Sequence, residues 1–405
     1  MSISSYYNKE TKTLTLPFYF NEKLELVPKY TEKIIFDNNG CGRESLFNQP
    51  VNNLPETLTH LIFGGTFNQP IDNLPLSLTQ LTLGAYFNQP VNNLPETLTH
   101  LIFDETFNQP VNNLPLSLTH LTFGHYFNHS VDKLPKNLSH LILGYSFNQK
   151  VDNLPENLTH LTFGKKFNKK VNNLPKNLTY LSFGENFDKK VNKLPKTLTH
   201  LTFDYYFNKN VDILPNNLTH LTFGYYFNQS VDNLPKNLTH LTFSHVFNQD
   251  VDNLPKNLTH LTFGYYFDQP VINLPETLTH LTFGYCFNQP VINLPKSLTH
   301  LTFDYNFNQP LDNLPENLMY LKICYSFQNI ITIPKKCKIL SLSGYNKIIN
   351  NIPDHIEKLY IYDFDNKNYI SNLPITLKEI VINDEYYKKF LKNVPFGTLI
   401  TVDKN

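Results

Sequence analysis

The chain has 405 residues, which would ordinarily suggest two or three globular domains, and its 34 Lys+Arg balance 34 Asp+Glu for a formal net charge of zero. That balance lacks the basic excess of a nucleic-acid binder. Four cysteines (Cys41, Cys286, Cys324 and Cys337), none in a CxxC pair, are too few for a disulfide framework and fit reduced thiols in a cytosol.

The N-terminal stretch MSISSYYNKETKT has no apolar core like that of a signal peptide. No apolar run approaches ~18 residues, so no membrane-spanning helix is expected and a cytoplasmic location is. Next, TKTLTLPFYFNEKLELVP (Thr11 to Pro28) aligns without a gap with the later LTHLTFGYYFNQPVDNLP, and VPKYTEKIIFD predicts a strand around Ile34 to Phe36. A seven-residue insertion in the NNGCGRES stretch precedes Phe47. Residues 1–46 are therefore expected to be an N-terminal cap with degenerate repeats.

From Phe47 the chain repeats itself every twenty residues. The opening Phe recurs at Phe67, Phe87, Phe107, Phe127, Phe147, Phe167, Phe187, Phe207, Phe227, Phe247, Phe267, Phe287, Phe307 and Phe327. The consensus is FNQPVDNLPKNLTHLTFGYY. Six columns are apolar; in one unit they are Phe227, Val231, Leu234, Leu238, Leu241 and Phe243. A unit with so few buried side chains cannot form a core alone, but stacked copies form a continuous one. LTHLTF reads as a short strand, with Leu and Phe on one face and His and Thr on the other. The remaining residues carry Pro at one or two columns, such as Pro90 and Pro95, which forbids an interior helix position. The return is therefore extended or turn-like, and successive strands lie parallel, ~4.8 Å apart. The column after the strand is mostly Gly (Gly64, Gly84, Gly144, Gly284), with Asp104, Asp204, Ser244, Asp304 and Cys324 as exceptions. This suggests a tight turn at which φ is positive.

Residues 47–329 thus form an in-register array. Residues 330–405 continue it loosely as degenerate repeats and a C-terminal cap, with Pro334, Pro353, Pro374 and Pro395 as markers and strands near Leu340, Leu359, Ile380 and Ile400. The predicted fold is a mainly β repeat solenoid of about twenty strands, leucine-rich-repeat-like, with a parallel sheet and extended, non-helical return segments.

These residues carry a resemblance. LTHLTFGYYF followed by LP looks like a short form of the leucine-rich repeat pattern, and FNQPVDNLP resembles the FNIP repeat, known mainly from social amoebae and giant viruses of amoebae. The resemblance spans essentially the whole chain. It implies a protein-interaction solenoid in the cytoplasm (the host's, for a virus). Many members begin with an F-box, which implies a substrate-recognition role in ubiquitin ligation, but residues 1–46 already read as cap and repeats. The column that holds a buried Asn in leucine-rich repeats is here Thr66, Tyr86 or Lys166. A side-chain ladder is instead expected at the Asn after Phe or the Asn before Leu-Pro (Asn93, Asn153, Asn233).

The leading candidate site is the polar face of the strands, concave in a leucine-rich repeat. Its members are His220, Thr222, Tyr225, His240, Thr242, His260, Thr262, Tyr265, His280, Thr282, Tyr285, His300, Thr302 and Tyr305, where the His, Thr and Tyr columns coincide. They form either a surface for a protein partner or simply side chains that suit the outer face of a strand. A second candidate is a basic band, Lys165, Lys166, Lys169, Lys170, Lys189 and Lys190, suited to an acidic partner or RNA, or to ordinary solvated loops. Metal binding is not expected. Zinc needs convergent ligands at about 2 Å, and this column has no Cys or carboxylate interleaved. Nor is a cofactor expected. Asp104, Asp204 and Asp304 share a column but stand five repeats apart, ~24 Å by strand spacing, so they cannot work as a catalytic pair. No phosphate-cradling Gly loop and no GxSxG is present. The expected function is a non-enzymatic scaffold that binds a protein partner. A ubiquitin-ligase component without its own F-box is the alternative, and a carbohydrate- or nucleic-acid-binding solenoid a more distant one.

Overall fold

In a computed structural model of the protein, residues 3–38, 44–323, 326–329, 331–343, 352–362 and 369–403 are described; Cys41 and Cys324 lie outside them. The chain divides into two compact units, Met1–Phe207 and Asn208–Asn405. The first opens with a 3-10 turn, Ile3–Tyr6, and a short strand β1 (Tyr7–Asn8) antiparallel to β2 (Thr13–Leu16). There follow β3 (Lys33–Phe36), β4 (His60–Ile62), β5 (Gln80–Leu83), β6 (His100–Phe103), β7 (His120–Thr122), β8 (His140–Ile142), β9 (His160–Thr162), β10 (Tyr180–Ser182) and β11 (His200–Thr202). From β2 onward each pairs in parallel with the next, like column on like column, as in Leu101 opposite Leu121.

The second unit runs β12 (His220–Thr222), β13 (His240–Thr242), β14 (His260–Thr262), β15 (His280–Thr282), β16 (His300–Thr302) and β17 (Tyr320–Ile323). It ends with β18 (Ile339–Ser343), β19 (Lys358–Tyr362), β20 (Glu379–Ile382) and β21 (Leu399–Val402), the strands expected around Leu340, Leu359, Ile380 and Ile400. These are parallel throughout. A 3-10 turn, Glu385–Phe390, lies between β20 and β21.

Why the register holds is clear from burial. In nearly every repeat the strand alternates half-buried His, buried Leu and half-buried Thr. A slip by one residue would put imidazoles in the core and leucines in water. All six apolar columns are buried: Phe227, Leu238, Leu241 and Phe243 almost completely, Val231 and Leu234 slightly less. Among the described residues the return contains no α-helix. It is a chain of turns: the amide of Leu98 donates to the Pro95 carbonyl at 3.1 Å, and that of Phe87 to Gly84 at 3.1 Å.

The core is an aromatic spine. The strand-closing Phe stacks on the next opening Phe, at 3.7 Å for Phe123 and Phe127 and 3.8 Å for Phe263 and Phe267. Like rings are related by one repeat, so their spacing measures the advance per repeat at that depth. In the first unit it grows from 4.2 Å for His100–His120 to 5.6 Å for Phe103–Phe123 and 6.2 Å for Phe107–Phe127. In the second it grows from 4.2 Å for His260–His280 to 5.5 Å for Phe263–Phe283 and 6.0 Å for Phe267–Phe287. Repeats fan out away from the strands, so within each unit the His face is the inner side of the bend.

The expected side-chain ladder is present at the Asn after the opening Phe. The Asn48 carboxamide oxygen accepts the Asn68 amide at 2.9 Å, Asn68 accepts Asn88 at 2.9 Å, and Asn228 accepts Asn248 at 2.9 Å. A second ladder uses the Asn before Leu-Pro: Asn93 donates to Asp72 at 3.0 Å and Asn233 to Asp212 at 3.1 Å. The first takes up backbone amides that the irregular return would otherwise leave unpaired, whereas the second links exposed side chains.

The Gly column corrects one expectation. Its φ angles are not positive; among the described residues the only left-handed glycine is Gly397. The column is Gly because successive turns stack too closely. A Cβ on Gly144 would stand 1.7 Å from the Gly124 carbonyl oxygen. Asp104, Asp204 and Asp304 fill the same column, and each carboxylate accepts the following amide at 2.8–2.9 Å, which secures a turn that carries a Cβ. Gly144→Ala, lacking that bond, is expected to cost about 1–3 kcal/mol through forced backbone displacement. A urea midpoint equal to that of the parent protein would show that the turn yields freely.

Candidate interaction face

Each His on the sheet face follows a Thr or Ser whose hydroxyl makes two bonds. Thr99 Oγ1 lies 3.0 Å from the Thr79 carbonyl oxygen of the preceding repeat and 2.9 Å from His100 Nδ1. The pattern recurs at Thr119–His120 (3.2 and 2.9 Å), Ser139–His140 (3.0 and 2.8 Å) and Thr159–His160 (3.1 and 2.9 Å). In the second unit it holds at His260, His280 and His300. A hydroxyl has one proton, to give either to the carbonyl or to the ring. Given to the carbonyl, which at Thr79 also accepts the Thr99 and His100 amides at 2.9 and 3.1 Å, it leaves the hydroxyl to accept from Nδ1–H and leaves a lone pair on Nε2.

The rings are stacked. His100, His120, His140 and His160 follow one another at 4.2 Å with planes 10–12° apart. His220, His240, His260, His280 and His300 do the same at 4.2 Å. Burial on the sheet face depresses the pKa of His60, His120, His140, His260 and His300. It takes His280 down to about 4. Repulsion from other imidazoles adds to the effect at all of these but His300, and Lys33 adds to it at His60. Parallel stacked rings point their nitrogens in one direction, not at a common centre.

Thr222, Thr242, Thr262, Thr282 and Thr302 are half-buried on the same face. Just beyond lies an aromatic row. Tyr225 stacks on His245 at 4.4 Å, His245 on Tyr265 at 5.4 Å, Tyr265 on Tyr285 at 4.5 Å and Tyr285 on Tyr305 at 4.7 Å. Tyr225, Tyr265 and Tyr285 are half-buried and Tyr305 exposed; Tyr325 lies outside the described residues. The structure therefore brings the His, Thr and Tyr columns side by side.

The basic band is less uniform. Lys165 and Lys166 occupy the turn that holds Tyr in later repeats, both above the Tyr145 ring, and Lys165 pairs with Glu185 at 2.6 Å. Lys169, Lys170, Lys189 and Lys190 sit on the return segment, Lys169, Lys170 and Lys190 exposed and Lys189 half-buried.

Two features escape a reading by alternation alone. One is the Thr–His bond, whose signal is the Thr or Ser before every His of the column. The other is an apolar break in the second unit. Ile272 and Ile292 stand where other repeats carry Asp or Asn, 64% and 77% exposed. With Leu274, Leu294 and Leu314 they line an open groove of about 930 Å³. No helix among the described residues is long and apolar enough to cross a membrane.

The comparisons agree with the parallel-strand repeat fold. The family model described as FNIP Repeat matches in pairs of repeats, overlapping from 47–86 and 67–106 to 207–245, and then at 247–286 and 287–326. Among solved structures, the chain is similar to the giant-virus protein CroV588, described as a novel circular LRR protein, at 41% identity and a TM-score of 0.79. That match covers 94% of this chain but 61% of CroV588, so the chain spans less than two thirds of that relative's length. YopM from Yersinia enterocolitica WA-314 is similar in fold, with a TM-score of 0.61 at 18% identity, over 99% of this chain and 89% of YopM. Among curated proteins none matches.

Proposed function

The chain belongs to the FNIP repeat family, and from that premise we infer that it is a non-enzymatic scaffold that binds a protein partner on the sheet face. The leucine-rich-repeat-like fold is commonly an interaction scaffold. The observation that carries the reading is that the stacked His column on the sheet face is accompanied, just past each strand, by a second row of stacked Tyr rings. Tyr offers large contact area at low entropic cost, and a curved face meets a partner over several repeats at once.

Combined Tyr225→Ala, Tyr265→Ala and Tyr285→Ala should abolish partner capture. These rings are stacked on the surface rather than in the core, so the thermal midpoint should fall by only a few degrees. Capture that survives the triple substitution removes the sheet face as the site. Ubiquitin-ligase subunits among the captured proteins would favour an adaptor role. Direct binding of a sugar or of RNA would favour a carbohydrate- or nucleic-acid-binding solenoid.

A further inference from the structure

Resting on the reading that the sheet face takes a partner, we propose that the partner presents arginine or lysine side chains to the histidine ladder. The argument is one of hydrogen-bond polarity. At His100, His120, His140, His160, His260, His280 and His300 we assign the ring N–H to Nδ1, bonded to the adjacent hydroxyl. That assignment leaves Nε2 as an acceptor, and no protein bond to it is made among the described residues.

Stacking sharpens this. Rings 4.2 Å apart and within about 12° of parallel have nearly aligned dipoles, each with its negative end at Nε2. Aligned side-chain dipoles add, so the Nε2 edge carries a negative potential without any formal charge. An anion meets only lone pairs there, whereas a guanidinium or ammonium meets a row of acceptors. The neighbouring Thr hydroxyls and Tyr rings are neutral and accommodate a cation, the rings through their faces and edges.

Other groups near the ladder do not reverse the sign. Gln80 and Tyr180 flank the first run in register, and Lys33 pairs with His60 further along. Tyr320 and Lys322 lie beside His300 and Thr302, and His220 and His240 continue the second run. Beyond the strands the turns carry the carboxylates Asp104 and Asp304 and, after His160, Lys165 and Lys166, of which Lys165 is paired with Glu185 at 2.6 Å. Protonation at Nε2 turns an acceptor into a cationic donor, so the same face should repel the same partner in acid.

The test uses the full chain and an acetylated, amidated hexa-arginine peptide, followed by calorimetry at pH 7.5 and pH 4. Hexa-glutamate serves as the control. The arginine peptide should bind at pH 7.5 and lose at least about tenfold in affinity by pH 4, where rings held low by burial begin to take up protons and its own charge is unchanged. His120→Phe/His140→Phe combined with His260→Phe/His280→Phe keeps ring stacking and every loop carboxylate, and should also weaken binding about tenfold. Equal affinity for that variant, or tighter binding of hexa-glutamate at pH 7.5, overturns the proposal. Should the variant not fold, nitrogen NMR of the parent protein decides, because protons found on Nε2 of the neutral rings overturn it equally. If the arginine peptide fails while partner capture still depends on the Tyr row, only the cationic chemistry falls. If capture is independent of the face, the reading of the preceding subsection falls with it.

Discussion

Moving the protein from pH 7.5 to pH 5 is expected to lower its stability by on the order of 1 kcal/mol or more. The responsible groups are the imidazoles of the His column. Six of them, His60, His120, His140, His260, His280 and His300, have pKa values depressed by burial, His280 to about 4. Above about pH 6.5 both folded and unfolded chains hold these rings neutral, and the contribution is fully present. As pH falls below that value the unfolded chain takes up protons and the folded column resists. Stability is therefore lost from about 6.5 downward, until the folded rings titrate as well. One pKa unit corresponds to about 1.4 kcal/mol. Discounted for the solvent screening of a partly exposed ring, His280 contributes on the order of 1 kcal/mol, and the other five act in the same direction.

Carboxylates with depressed values, Asp212 and Asp232 through hydrogen bonds, Glu357 and Glu379 through lysines, act in a lower window. Their contribution is present above their unfolded values near 4 and goes only below them. Urea unfolding at the two pH values separates these windows; equal midpoints at pH 5 and 7.5 would falsify the histidine account.

Phe267→Ala is expected to cost about 3–5 kcal/mol from the cavity alone, with a further contribution from lost stacking. Phe267 is fully buried, 3.8 Å from the Phe263 ring and 6.0 Å from both Phe247 and Phe287. The closing column behaves differently. Leu83 and Leu143 already occupy it, buried to 0% and 1% exposure, so Phe263→Leu should cost about 1 kcal/mol. In an array stabilised by neighbours, Phe267→Ala should also break cooperativity near the substituted repeat. Urea unfolding followed by circular dichroism reads both effects. Equal costs for the two variants would mean that the opening column carries no special share of the spine.

Much of the fold is legible in the sequence because the period is strict. Alternation at His–Leu–Thr gives the strand and its two faces, and recurrence of Phe227, Val231, Leu234, Leu238, Leu241 and Phe243 gives the core. Pro95 excludes a helical return, and the Asn after Phe is one of two columns that suit a ladder. What is not legible depends on distances between repeats. Gly144 reads locally as a residue chosen for φ, yet it is chosen because the Gly124 carbonyl lies in the way. A proton on Nδ1 of His100 can be assigned only once Thr99 is known to bond both the ring and the Thr79 carbonyl. Lys165 reads as free loop charge, but Glu185 of the next repeat pairs with it.

The side-chain ladders have a direction. In the repeats the donor belongs to the later copy and the acceptor to the earlier one: the Asn68 amide to Asn48, Asn93 to Asp72, the Thr99 hydroxyl to Thr79. A ribosome delivers the earlier copy first, at roughly 5–20 residues per second, so a new repeat emerges every few seconds. Each arrives to find its acceptors already in place on a finished template. The array can therefore grow vectorially during synthesis, one copy at a time. Near-identical sequences would otherwise risk pairing out of order, and arrival time gives each repeat its proper neighbour.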